Sequence, residues 1–104
     1  FQPIVGSDNN EKSPVQVFEH VYQTVIDRKN NPKEGSYTNY LFEQGQDKIL
    51  KKIGEEATGI VIAAKNQNPE ELKSEMADFI YHAMVLMIEK GITWEDVTNQ
   101  LLQK

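Results

Sequence analysis

From Val17 to Leu102 the apolar residues recur at spacings of three and four, and no stretch alternates apolar with polar as a strand would. That period leaves helices as the building material. Ser13-Pro14 opens the first: Ser suits the N-cap, and Pro at the first helical position has no N–H to leave unpaired. Val17, Phe18, Val21, Tyr22, Val25 and Ile26 form its apolar stripe, Arg28 and Lys29 suit its C-terminal dipole, and Asn30-Asn31-Pro32 ends it. A loop is expected over 33–39. A second helix then runs from Thr38 or Asn39 to Lys65, with Tyr40, Leu41, Ile49, Leu50, Ile53, Ala57, Ile60, Val61 and Ala64 as its apolar positions and Gly45 as a candidate interruption. Asn68-Pro69-Glu70-Glu71 starts another helix, carried by Leu72, Met76, Phe79, Ile80, Ala83, Met84 and Met87 and closed by Lys90-Gly91. Thr93 caps a short last helix whose Trp94, Val97, Leu101 and Leu102 are expected to face inward. The expected fold class is all-α, a small antiparallel helical bundle.

A chain of 104 residues makes one domain. We place it at 13–104 and read 1–12 as a tether, because Gly6–Lys12 is polar and turn-rich. The first residue is Phe1, not Met, and the expectation is a piece cut from a longer polypeptide. The helix over 69–90 is apolar around much of its circumference, from Phe79 to Ile88, whereas one stripe is enough to face a monomer's core. A second copy of the chain is therefore expected to cover the rest, giving a dimer or higher homo-oligomer. The formal charge of −5 argues against nucleic acid as a partner. The absence of cysteine removes thiolate metal sites and cysteine nucleophiles. No apolar run approaches a membrane span, and Phe1–Gly6 does not make a secretory signal, so the cytoplasm is the expected location.

Two groups of acids sit inside apolar sequence. Glu55 and Glu56 lie in mid-helix; Glu75 and Asp78 lie three apart on the next helix, sharing a face, with His82 one turn further. Antiparallel packing about the short Asn66–Asn68 connection brings the two groups to one level. Like charges at that spacing repel by a few tenths of a kcal/mol, and a hard divalent cation such as Mg²⁺ would offset this. On spacing alone, the alternative is that all of these carboxylates are solvated surface charges. His82 reads as a core or network histidine before a ligand. Lys48 and Lys52, at i and i+4, and Lys65 could hold phosphates, or could pair with Glu55 and Glu56 on a wet surface. There is no glycine-rich phosphate loop and no serine–histidine–acid arrangement.

Ser36-Tyr37-Thr38, Lys51-Lys52-Ile53-Gly54-Glu55-Glu56-Ala57, Ala63-Ala64-Lys65-Asn66 and Glu75-Met76-Ala77-Asp78-Phe79-Ile80-Tyr81-His82 occur in this order. Together they resemble the phosphoribosyl-ATP pyrophosphatases of histidine biosynthesis, all-α nucleotide pyrophosphatases of the MazG type. The resemblance runs from Val17 to the C-terminus. It implies Mg²⁺-dependent hydrolysis of phosphoribosyl-ATP to phosphoribosyl-AMP and pyrophosphate. Glu55, Glu56, Glu75 and Asp78 match the family's metal-binding acids. Glu56 is the expected proton acceptor, Lys48, Lys52 and Lys65 the phosphate cations, and Tyr37, Thr38, Tyr40 and His82 further substrate-binding residues. Many members are fused to an upstream cyclohydrolase, which would suit residues 1–12 as a linker. One position departs from the pattern. The MazG-type motif Glu-Glu-x-x-Glu places its third acid at 59, where this chain has Gly59. Restoring Glu there is expected to tighten Mg²⁺ binding. Two alternatives stay open: a house-cleaning hydrolase of non-standard nucleoside triphosphates, and a catalytically weakened helical dimerisation module.

Overall fold

Every helix begins where the sequence can satisfy its first amides, with a single exception. Ser13 Oγ accepts from Gln16 N at 3.3 Å while the Gln16 side chain accepts from Ser13 N at 2.8 Å, a reciprocal box. Ser36, Asn68 and Thr93 cap the same way, each accepting from the amide three residues on. The exception is the helix after Gly45, which has no side-chain cap. The resulting computed structural model describes residues 12–104 as α1 (Pro14–Asn30), α2 (Tyr37–Gln44), α3 (Gln46–Lys65), α4 (Pro69–Lys90) and α5 (Trp94–Leu102). The expected all-α bundle is what is seen, with no strand among the described residues. The tether expected at 1–12 lies outside the described residues except for Lys12.

The long helix expected from Thr38 to Lys65 is two helices. Gly45 has φ 92°, a backbone state that an L side chain rarely adopts, and it ends α2 and begins α3 in one turn. That corner lets both halves reach the core. Val25 from α1, Leu41 from α2, Ile49 from α3 and Val85 from α4 form the buried cluster, with Val21, Phe42, Ile53, Tyr81, Leu86 and Ile88 packed around it.

The α3–α4 hairpin is the most extensive helix pair. Its turn is short and passes through Gln67 in the left-handed region, φ 54°. Glu56 faces His82 and Gly59 faces Glu75, pairs set nearly symmetrically about that turn. The expected level of the two acidic groups therefore holds.

The inward-facing assignment of α5 does not hold. None of its residues is buried, and Leu101 and Leu102 are 67% and 84% exposed. Trp94 meets Tyr22, with ring centroids 5.8 Å apart, and with Leu101 it lines an open apolar cleft against Val15 and Phe18 of α1. Val15, Val61 and Ile62 are likewise more than half exposed. The apolar stripes are thus wider than the core of a single chain can cover. Among the described residues no helix is long and apolar enough to cross a membrane.

Candidate functional site

His82 lies at the centre of the α3–α4 hairpin, 4% exposed. Its Nδ1 is 2.7 Å from Glu56 Oε1 and 2.9 Å from the carbonyl of Asp78, one turn earlier on α4. Its Nε2 is 3.0 Å from the Tyr37 hydroxyl. Tyr37 is the first residue of α2 and arrives from 45 positions away. Its ring stacks between Tyr40 and Tyr81, at centroid distances of 6.0 and 6.2 Å. Next to it, the Thr38 hydroxyl pairs with the Tyr81 hydroxyl below the surface.

Asn39 fixes where α2 starts. Its Oδ1 accepts from Lys33 N at 2.8 Å and its Nδ2 donates to the carbonyl of Arg28 at 2.6 Å, tying the loop to the end of α1. Asn39 is buried, so these bonds satisfy groups that would otherwise cost about 1–3 kcal/mol each to leave unpaired.

The acids share one electrostatic neighbourhood. The Glu75 carboxyl is held above its usual range, first by desolvation, then by the charges of Glu71 and Asp78, by a hydrogen bond with Glu71 and by the charge of Glu56. The Tyr37 phenol is pushed up by burial and by the charges of Tyr81, Glu56, Tyr40 and Asp78. Burial also raises Tyr81, against a hydrogen bond from Thr38 that lowers it. Glu75 lies directly over Gly59: a Cβ at that position would stand 2.6 Å from both its Cδ and Oε1 and 2.9 Å from its Oε2. The same glycine borders a cleft of about 300 Å³ with Glu71, Glu75 and Asn68.

Not every expected site residue joins this group. Glu55 is half-exposed and faces Lys52 at 3.8 Å. Lys48 lies 5.7 Å from the centroid of the Tyr40 ring, and a cavity of about 480 Å³ opens beside Tyr37 and Tyr40, with Lys33 as the lysine that lines it. Lys65 ends α3, about 20 Å along the axis from Lys52, so the lysines do not make one patch. Thr38 and His82 are buried with protein partners. Among the described residues, no three of Asp, Glu and His stand where they could together hold a metal ion. Sequence reasoning missed Glu71 and Asn39. Glu71 had a signal, since it lies i−4 from Glu75 on the same face; the depth of Asn39 is a tertiary property with none.

The family model of phosphoribosyl-ATP pyrophosphohydrolase matches residues 18–104. The chain is 55% identical over 87 residues to the phosphoribosyl-ATP pyrophosphatase of Clostridium novyi, covering 84% of this chain and 79% of that protein. It is also 55% identical over 87 residues to that of Limosilactobacillus fermentum, covering 84% and 82%. With the histidine biosynthesis bifunctional protein HisIE of Caldanaerobacter subterraneus it shares 52% identity over 94 residues, 90% of this chain and 46% of that protein.

Proposed function

The chain belongs to the phosphoribosyl-ATP pyrophosphohydrolase family, and we propose that it hydrolyses phosphoribosyl-ATP to phosphoribosyl-AMP and pyrophosphate with Mg²⁺, in the histidine pathway and in the cytoplasm. The observation that supports the reading is geometric: Glu56 and the Asp78 carbonyl meet at His82, and the Glu75 carboxyl lies over Gly59, along one helical hairpin. The donor chemistry fits a hard cation, because carboxylate oxygens are what Mg²⁺ takes and a cation would offset the desolvation and like charge that raise the Glu75 pKa. Glu55, Glu56, Glu75 and Asp78, the acids that the family likeness assigns to it, would have to turn toward one point to hold it, since no three of them converge among the described residues. When bound, it would neutralise phosphate charge and acidify the attacking water.

The chain's own residues then divide the work. One oxygen of Glu56 is held by His82, so its other oxygen is the proton acceptor. As water forms its bond to phosphorus, the proton passes to Glu56 and the anhydride bond breaks toward pyrophosphate. Lys48 and Lys52, in the first two turns of α3, would meet phosphate oxygens, and Lys65 would do so from the other end. Tyr37 and Tyr40 offer exposed rings to ribose or base.

The reading extends to partners. The exposed apolar residues of α1, α3 and α5 favour a second copy of this chain, which light scattering would count. The bifunctional relatives favour an upstream cyclohydrolase half joined through residues 1–12. The deciding assay is pyrophosphate release from phosphoribosyl-ATP with Mg²⁺ present and then chelated, with ATP and dUTP as controls. Mg²⁺-dependent release from phosphoribosyl-ATP alone is expected. Release from dUTP instead would indicate a house-cleaning hydrolase, and none from a folded sample would indicate a weakened module.

A further inference from the structure

Two acceptors face His82 Nδ1: the Glu56 carboxylate at 2.7 Å and the Asp78 carbonyl at 2.9 Å. A carbonyl oxygen can only accept, so Nδ1 carries the hydrogen. In the neutral ring Nε2 is then a bare acceptor, and the Tyr37 hydroxyl, 3.0 Å away, must donate to it. That spends the only hydrogen Tyr37 has. What remains on its oxygen is acceptor capacity, on a residue that is 45% exposed beside the cavity at Tyr40.

We propose that His82 is a positioning residue that fixes Tyr37 as a hydrogen-bond acceptor, so that Tyr37 selects the donor-bearing part of the ligand, a ribose hydroxyl, and turns phosphate oxygens away toward the lysines. The ligand part of this proposal rests on the function proposed above; the tautomer does not. Phosphate oxygens are acceptors only and repel a second acceptor at close range, whereas a sugar hydroxyl can donate. Glu56 gains from the same arrangement, because the Nδ1–H bond holds one of its oxygens and leaves the other to the reaction.

Two measurements on the same protein test it. Nitrogen-15 NMR of the His82 ring at mildly alkaline pH should show a proton on Nδ1 and a bare Nε2, with the Nε2 resonance moving in Tyr37→Phe. A bare Nδ1 would overturn the proposal outright. The second is a double-mutant cycle with Tyr37→Phe and His82→Asn, since the shorter Asn amide can stand in for Nδ1–H but puts no acceptor at the Nε2 position that Tyr37 meets. Each change should raise KM roughly two- to tenfold, the worth of one hydrogen bond, with kcat nearly kept. The double variant should be no worse than either single one. Multiplying effects, or a fall in kcat with KM unchanged, would reduce His82 to a structural role and refute positioning. If the wild type releases no pyrophosphate, the proposed function falls and the cycle is run on the Kd of phosphoribosyl-ATP. Absence of binding, or independent effects on it, then refutes the ligand part, while NMR still decides the tautomer.

Discussion

Substituting Gly59 sets a helix's intrinsic preference against a single contact. Gly59→Ala in the interior of α3 gains about 1 kcal/mol from helix propensity. Against this, the new Cβ would start 2.6 Å from the Glu75 carboxyl, so that group must retreat by about 1 Å to reach an ordinary contact of ~3.5–4 Å. The carboxyl is the far end of a flexible side chain, and the retreat is cheap. The net expectation is a gain of about 0.5–1 kcal/mol, or a Tm rise of roughly 2–8 °C for a domain of this size. Gly59→Glu gains nearly the same propensity but places a charge i+4 from Glu55 and i+3 from Glu56, at a cost of about 0.2–0.5 kcal/mol for each pair. Without divalent ions it should sit below wild type, because the new carboxylate also meets that of Glu75 across the hairpin. With saturating Mg²⁺, a tenfold tighter site would add about 1.4 kcal/mol. Thermal unfolding followed by circular dichroism, in EDTA and in MgCl₂, reads all of these. A loss of stability in Gly59→Ala would refute the cheap retreat of Glu75. An equal Mg²⁺ response in Gly59→Glu and wild type would place position 59 outside the metal's reach.

Further outcomes follow from other contacts. Glu56→Gln should lower turnover by roughly 10²–10⁴-fold, the range for a general base, and near-normal pyrophosphate release would remove it from that role. Leu41→Ala, in a fully buried position, should cost about 2–5 kcal/mol in urea unfolding; a loss under 1 kcal/mol would mean that the core stands without α2. The pKa of Glu75 is raised in the fold, so its contribution to stability is fully present below the unfolded value near 4.5 and is lost as pH rises through the folded value. Glu75→Gln should accordingly raise Tm at neutral pH and leave it unchanged at acid pH, and a variant that is less stable at neutral pH would contradict the account from desolvation and like charge.

What the sequence made legible was whatever depended on neighbours along the chain. Ser13, Asn68 and Thr93 cap helices through atoms three residues away, and all of these starts were readable. The pairing of Glu56 with His82 was half-readable, because a short turn leaves an antiparallel hairpin little choice of register. Gly45 was noticed, yet only the positive φ showed that the chain turns a corner there. The inward assignment of α5 failed because an apolar stripe records that a face wants cover, not which element supplies it. Tyr37 and Thr38 reached the candidate site only through resemblance. No local pattern announces that the start of α2 lies over a histidine 45 positions away.

That last feature divides the site into parts of unequal permanence. Glu56, Gly59, Glu75, Asp78 and His82 belong to one hairpin closed by a short turn, so they come together through contacts of short sequence separation and should assemble early in folding. Tyr37 belongs to an eight-residue helix, too short to persist alone, which stands on Leu41 in the core and on the Asn39 clamp. Amides of α2 should therefore exchange with solvent hydrogen well before those at the centre of α3 and α4, and equal rates would deny the division. Each opening of α2 withdraws the phenol and leaves the acids in place, so the fraction of molecules able to recognise a ligand is set by a helix that carries none of the acids.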